Sequence, residues 1–401
     1  MRGRILAAGA LVTAVAAGAV VAFVQSPATN AGSTTPTTSA TSSSGSSTPS
    51  QSPSSSPSPT DTPTDTPQST EGFPPITRLK PGEQAPQFVV LSFDGACKHE
   101  LWQHYMELAR ANDAHFTFFL SGLCLVPDAQ RKLYHPPGKP VGYSAIGFGQ
   151  ASLIPQRIKD ITQAYDEGNE IGTHFLGHFC DAKGVGTWTA SQWTSELDQA
   201  VTFLDNWKSI NGNTDPSLQL PFSADIWKGA RTPCLLGKPA AMYPVWKKFG
   251  FAYDASRTGT LTWPKKVAGY GLWEFPLQRI KVVGYNKTNL SMDYNLLYVQ
   301  NKGKIDAPPA TCAKIENSTY LSLMQALKAV HTGNRAPFFI GNHFNQWACG
   351  AYVNALTSFV TDAHAQYPDV HFVTFEYLTR WLAAQDPKVL AALQKKPAPR
   401  Y

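Results

Sequence analysis

From Gln87 onward the hydrophobic positions alternate between two periods. The run QFVVLSFDGA, residues 87–96, is apolar and rich in β-branched and aromatic residues, which predicts a buried strand. ELWQHYMELARAN, 100–112, spaces its apolar residues at helical intervals. HFTFFLSG (115–122) predicts a second strand, IPQRIKDITQAYDEG (154–168) a helix with proline near its start, and NEIGTHF (169–175) a third strand. The alternation continues with a helix over 191–210, strands over 251–256 and 271–280, a helix over 319–333 and a strongly apolar strand over 336–344. A helix over 350–367 and a strand running into a helix over 370–385 close it. Repeated βα units imply a parallel sheet with helices outside, closed into a barrel or left open.

Upstream the pattern is different. Arg2 and Arg4 precede an uncharged apolar run from Ile5 to Val24, long enough to span a bilayer as a helix. Residues 1–31 therefore read as an export signal or an N-terminal membrane anchor. Residues 32–78 are dominated by Ser, Thr and Pro, with almost nothing able to build a core. They read as a disordered linker whose hydroxyl-proline density permits O-glycosylation. One globular body remains over 79–394, followed by a short tail over 395–401. The expected location is secreted, or anchored on the outer face of the cell membrane.

Composition then narrows the chemistry. Six cysteines, Cys97, Cys124, Cys180, Cys234, Cys312 and Cys349, all lie in the body. In an exported chain an even number favours disulfides, and the absence of a CxxC pair argues against a cysteine zinc cluster. Lys and Arg total 34 against 28 Asp and Glu, a formal charge of +6, but no basic cluster stands out, which excludes nucleic acid as the expected partner.

In parallel βα folds reactive side chains gather at the carboxyl ends of strands, and five candidates fall there. Asp94 ends the first strand, where a carboxylate after an apolar run is costly unless its charge is used, whether in chemistry or in capping the next helix. His174 and His178 follow the third strand four residues apart. Two imidazoles with a carboxylate make a hydrolytic zinc-type site, although ten histidines in 401 residues make the spacing alone easy to reach by chance. Arg231, in KGARTPCL, can pin a carboxylate bidentately or serve as an ordinary ion pair. His343 ends the most apolar strand, as a proton donor or as a buried histidine with a satisfied hydrogen bond.

Strand-end Asp, HxxxH, RxP and a late strand-end His, in that order over about residues 87–381, resemble the polysaccharide deacetylase family, the NodB-homology carbohydrate esterases. The fold the resemblance implies is α/β, a distorted (β/α) barrel of about seven strands. It implies a divalent metal, zinc first, held by His174 and His178, with Asp94 as base, Arg231 orienting it and His343 as general acid. It also implies that the backbone N–H of Cys234 helps hold the oxyanion and that Ile340 lines the pocket for the acetyl methyl.

Two positions depart from the family pattern. Phe175 replaces the usual Ser or Thr of the histidine motif. The family's first motif reads TFDDG, whereas SFDGA here has one aspartate, so Gly95 stands where a metal-binding carboxylate is expected. This form is similar to that of chitin-deacetylase-like members. Three outcomes stay open: another acid such as Asp181 completes the metal set, Asp94 itself ligates the metal, or metal and activity are lost. Asp254 and Asp293 are the candidates for a further acidic motif.

The function implied is metal-dependent removal of N- or O-acetyl groups from an extracellular polysaccharide, chitin-like or peptidoglycan. The alternative is a catalytically impaired protein that binds envelope glycan through aromatics such as Trp188, Trp193 and Trp347. Loops over 125–152 and 179–189 are expected to set specificity.

Overall fold

The structure, a computed structural model, describes residues 69–400. The expected signal or anchor, and the linker as far as residue 68, lie outside these residues. Among the described residues no helix is long and apolar enough to cross a membrane.

Seven parallel strands make up most of the sheet: β1 (Gln87–Gly95), β2 (Thr117–Leu120), β3 (Glu170–Thr173), β4 (Gly229–Ala230), β5 (Tyr253–Asp254), β6 (Trp273–Glu274) and β7 (Phe338–His343), with the antiparallel pair of residues Lys265–Lys266 on the outer edge of β6. Their spatial order is β7-β1-β2-β3-β4-β5-β6, which curls into a distorted barrel that stays open between β6 and β7. A further parallel strand, β8 (Val370–Phe372), pairs with the start of β1. The buried Gln278 side chain helps fill the open seam, donating to the Pro337 carbonyl (2.9 Å) and accepting from the Phe339 amide (3.0 Å).

The helices of eight residues or more are α1 (His99–Ala111), α2 (Ile154–Asp166), α3 (Ala190–Asp205), α4 (Pro239–Lys248), α5 (Asp293–Asn301), α6 (Pro309–Thr332), α7 (Trp347–Gln366), α8 (Phe375–Ala384) and α9 (Pro387–Gln394). α3 begins at a capping box in which Thr189 and Gln192 satisfy each other's backbone amides.

Side-chain alternation along the strands separates two cores. Phe88 and Val90 of β1, Phe119 of β2, Tyr253 of β5 and Phe339 of β7 form one cluster with Phe275 and Phe375. Val89, Leu91, Phe93, Phe118, Phe338 and Ile340, on the opposite face, join the cluster that includes Trp102, Ile158 and Leu356 of the helices. Ser92 and Asp94 continue the first face of β1, as Gly341 and His343 continue that of β7.

One expected strand comes out differently. The stretch 271–280 is not one strand, because Pro276 offers no amide to a ladder. β6 ends before it, and Leu277–Val282 joins a separate small sheet with Thr258–Gly259 and Lys287–Leu290. α4, α5 and α9 come in addition to the helices expected from the hydrophobic spacing.

Packing starts ahead of residue 79. The Phe73 ring stacks on His115 (3.9 Å between centroids) and on Tyr377 (5.0 Å), and the Tyr377 hydroxyl donates to the Pro74 carbonyl (2.8 Å). His115 precedes β2, so this segment crosses the amino-terminal ends of the strands. The six cysteines form three disulfides, Cys97–Cys124, Cys180–Cys234 and Cys312–Cys349, the state expected of an oxidising compartment.

Candidate functional site

Parallel register sets the first two members side by side. Asp94 of β1 pairs with His343 of β7 on one edge and with Phe119 of β2 on the other. Thr173 at the end of β3 pairs with Ala230 of β4, which carries the next residues, His174 and Arg231, to the same level. The carboxyl ends of four strands thus converge.

Arg231 reaches back over β2 to Asp94. Its Nη1 donates to Asp94 Oδ1 at 2.9 Å, with both side chains buried, and its Nε donates to the Ala255 carbonyl (3.2 Å). The guanidinium lies 4.8 Å from the centroid of the Phe119 ring, a cation–π support. Gly172 of β3 makes room for that ring: a Cβ there would come within 2.8 Å of Phe119 Cδ1. Arg231 Nη2 is buried without a protein partner. Burial alone would raise the Asp94 pKa, but Arg231, His174 and His343 outweigh it and hold the pKa below the ordinary value. Asp94 is therefore a carboxylate at neutral pH.

His174 donates from Nδ1 to the Arg231 carbonyl (2.8 Å), an assignment that follows from the partner, and this leaves Nε2 unprotonated. Burial lowers its pKa, so the ring is neutral. The His178 ring lies 5.2 Å from it. Burial, together with repulsion from His174 and His343, brings the His178 pKa down to about 3. The segment between them takes left-handed backbone at Phe175 (φ 61°) and His178 (φ 55°). It is held by Glu196 of α3, whose Oε1 accepts from the amides of Leu176 and Gly177 (3.1 Å each) while the carboxylate also accepts from Tyr134 Oη (2.8 Å to Oε2).

His343 is gripped by Asp293 in the first turn of α5. One carboxylate oxygen accepts from ring Nδ1 (2.7 Å) and the other from the His343 backbone amide (2.8 Å). Burial works against the imidazolium, but Asp293 and Asp94 outweigh it and raise the His343 pKa above its ordinary value. Of the two acids left open by sequence, Asp293 is the one at the site. Asp254 is bound to Ser256 (2.6 Å), Arg257 (3.2 Å) and the Trp246 indole (3.3 Å) inside the wall.

A divalent metal finds two suitable donors here. His174 and His178 are neutral, and the Nδ1 bond of His174 is the kind of outer partner that orients a ligating imidazole. The third ligand is the misfit. Among the described residues, the only set of three potential donor atoms within 4.8 Å of one another is His178, Cys180 and Cys234. The expected set His174, His178 and Asp94 is not gathered that closely, because Asp94 is committed to Arg231. Asp181 is engaged elsewhere, accepting from Lys139 Nζ (2.7 Å) and from the Lys183 amide (2.8 Å). At Gly95 (φ 96°) a Cβ would meet nothing within 4 Å, so the place for a second carboxylate exists without the side chain.

Three further expectations are resolved by geometry. Ile340 does not face the reacting groups: it has the opposite parity to Gly341 and His343 on β7 and packs in the outer cluster. Cys234, with left-handed backbone (φ 56°), has its side chain joined to Cys180, so only its backbone is left for a substrate. Trp188 and Trp193 are buried in the core, 1% and 0% exposed, and offer no glycan surface. Trp347 lies beside the acid, its ring 5.2 Å from His343. Glu196 and Phe119 escaped the sequence reading. Glu196 shares the helical stripe of Trp193, Leu197 and Ala200, and a carboxylate on an apolar stripe was its available signal.

Family models and curated proteins give no match to the chain. Solved structures similar to it include a protein from Mycobacterium smegmatis described provisionally as a polysaccharide deacetylase, at 15% identity and TM-score 0.47, covering 82% of this chain and 98% of that one. Another is the peptidoglycan deacetylase PdaC from Bacillus subtilis, at 11% identity and TM-score 0.36, covering 74% and 91%. A third is a CE4 family pseudoenzyme from Bacillus anthracis, at 10% identity and TM-score 0.38, covering 76% and 69%.

Proposed function

We propose that the chain hydrolyses acyl groups, removing N- or O-acetyl from an extracellular polysaccharide of chitin-like or peptidoglycan type. The observation that carries this reading is a candidate base and a candidate acid whose pKa values are pushed in opposite directions by their own partners. Arg231 pairs with Asp94 and lowers its pKa, Asp293 pairs with His343 and raises its pKa, and the two residues are in register on neighbouring strands. Paired groups whose pKa values are pushed apart are what general acid–base hydrolysis at neutral pH needs.

Asp94 accepts a proton from the attacking water, and Arg231 holds the carboxylate in one orientation while it does so. His343, as the imidazolium, gives its Nε2 proton to the departing nitrogen or oxygen of the glycan, and the Asp293 bond keeps the remaining ring proton on Nδ1. The Cys234 backbone N–H is assigned to the developing oxyanion. His174 and His178 are the residues that would hold a divalent metal, zinc first, which when bound supplies a Lewis acid for the acyl oxygen. The N-terminal apolar segment and the three disulfides support export, either free or tethered outside the membrane.

The test is acetate release from acetylated chito-oligosaccharides and from peptidoglycan by the purified chain and by Asp94→Asn. Release that Asp94→Asn abolishes supports the reading. The missing carboxylate at Gly95 favours a second one, a glycan-binding protein without turnover. Retention on insoluble glycan with no acetate release identifies that reading.

A further inference from the structure

We infer that reduction of the Cys180–Cys234 disulfide turns this corner of the site into a binding centre for a thiolate-seeking d10 cation, Zn(II) or Cu(I). The ligands are His178 Nδ1 and the two cysteine sulfurs. A ligand atom of each of these residues lies within 4.8 Å of the other two, the sulfurs through the bond that reduction opens, and the Cys180 sulfur lies 3.6 Å from His178 Nδ1. A tetrahedral centre with bonds of about 2.3 Å to sulfur and about 2.0–2.1 Å to nitrogen has an N···S edge of about 3.5–3.6 Å. The nitrogen and one sulfur therefore need no rearrangement, and the two cysteine Cα atoms stand 6.1 Å apart.

The electron count is that of thiol–disulfide exchange. Cys234 is exposed, whereas Cys180 and His178 are half-buried, so an incoming dithiol attacks the Cys234 sulfur and expels the Cys180 thiolate. The second thiol of the reductant then attacks the mixed disulfide. It frees Cys234 and leaves the reductant oxidised, for two electrons in all. Binding the cation as a dithiolate releases the two thiol protons.

The new centre competes with the histidine pair. An imidazole that ligates through Nδ1 carries its proton on Nε2, so His178 loses the lone pair through which that nitrogen could share a metal with His174. Oxidised, the corner leaves His178 to the hydrolytic site; reduced, it withdraws it. The disulfide is thus a redox gate on the second histidine, independent of which glycan is used.

Cobalt(II) is a spectroscopic probe for such a site. The full chain is reduced with a phosphine, checked for fold by circular dichroism, and titrated with Co(II), following the thiolate-to-metal charge-transfer absorption. The expected result is a band in the reduced protein and none in the oxidised one. The band should be lost in Cys180→Ser and in Cys234→Ser, and kept in the Cys97→Ser/Cys124→Ser double variant. His178→Ala, which leaves all cysteines in place, should weaken Co(II) binding by about tenfold or more. A folded, reduced chain with no thiolate band overturns the proposal. So does a band that survives in Cys180→Ser, or a chain that unfolds on reduction. None of these readouts depends on acetate release.

Discussion

Asp94 and His343 are register partners on adjacent parallel strands, yet their own partners pull them in opposite directions: Arg231 lowers the pKa of one and Asp293 raises that of the other. The strand ends supply the proximity, and residues from β4 and α5 supply the difference in charge.

Removing the base should stop turnover without dismantling the fold. Asp94→Asn keeps the shape and a hydrogen-bond acceptor for Arg231, and acetate release should fall by about 10²–10⁴-fold, measured as kcat/KM. Arg231→Ala should behave differently. It leaves a buried carboxylate unpaired and should cost about 3–5 kcal/mol of stability in chemical denaturation as well as activity.

The pH profile should report His343. Its pKa is raised by Asp293, so the protonated acid persists above the ordinary histidine range and activity should fall only as pH rises through that raised value. Asp293→Asn removes the anion that raises it. The alkaline limb of kcat/KM should move to lower pH, while the acid limb, set by Asp94, should stay. An unmoved alkaline limb would take His343 out of the acid role.

Glu196 should act through the loop between the histidines. Glu196→Ala leaves the buried amides of Leu176 and Gly177 without an acceptor, a cost of about 1–3 kcal/mol each. It should also weaken metal binding by about 10–100-fold. Glu196→Gln keeps one oxygen facing those amides and should retain most of the affinity. Isothermal titration of both variants separates positioning from mere stability.

Burial raises the Glu170 carboxyl at the foot of β3 to about 7 against an ordinary value of 4.5, with Glu376 adding to it. A folded-state pKa above the unfolded one contributes stability that is complete below about pH 4.5 and is lost as pH rises through about 7. Glu170→Gln should therefore lose less melting temperature than the unmodified chain between about pH 5 and about pH 8, read by calorimetry.

Much of this was legible in sequence because its signal is local. β1, β2, β3 and β7, with α1, α2, α3 and α6, carry clear periods, and each reacting residue stands next to a strand. In the second half of the barrel β5 and β6 were expected, as parts of longer runs, but β4 was not, since its two residues exist as a strand only through pairing with β3 and β5. The Asp94–Arg231 bond joins residues 137 apart, so only the resemblance, and no local signal, pointed to it. Ile340 was assigned to the pocket by resemblance, although strand parity from His343 turns it outward. The pairing of the six cysteines required the fold.

Gly95→Asp tests the metal centre from the other side. Space for the side chain is present, but a φ of 96° is strained for any residue with a Cβ, a cost of about 1–3 kcal/mol. The variant should bind zinc more tightly, by about tenfold or more, at lower thermal stability.

The most direct test is metal content of the purified, oxidised chain beside acetate release from acetylated chito-oligosaccharides, before and after chelation. The account predicts a divalent metal that chelators strip readily from a two-histidine site, with acetate release lost on stripping and restored on reconstitution. A chain that takes up no metal and releases no acetate, and gains neither in Gly95→Asp, would contradict it.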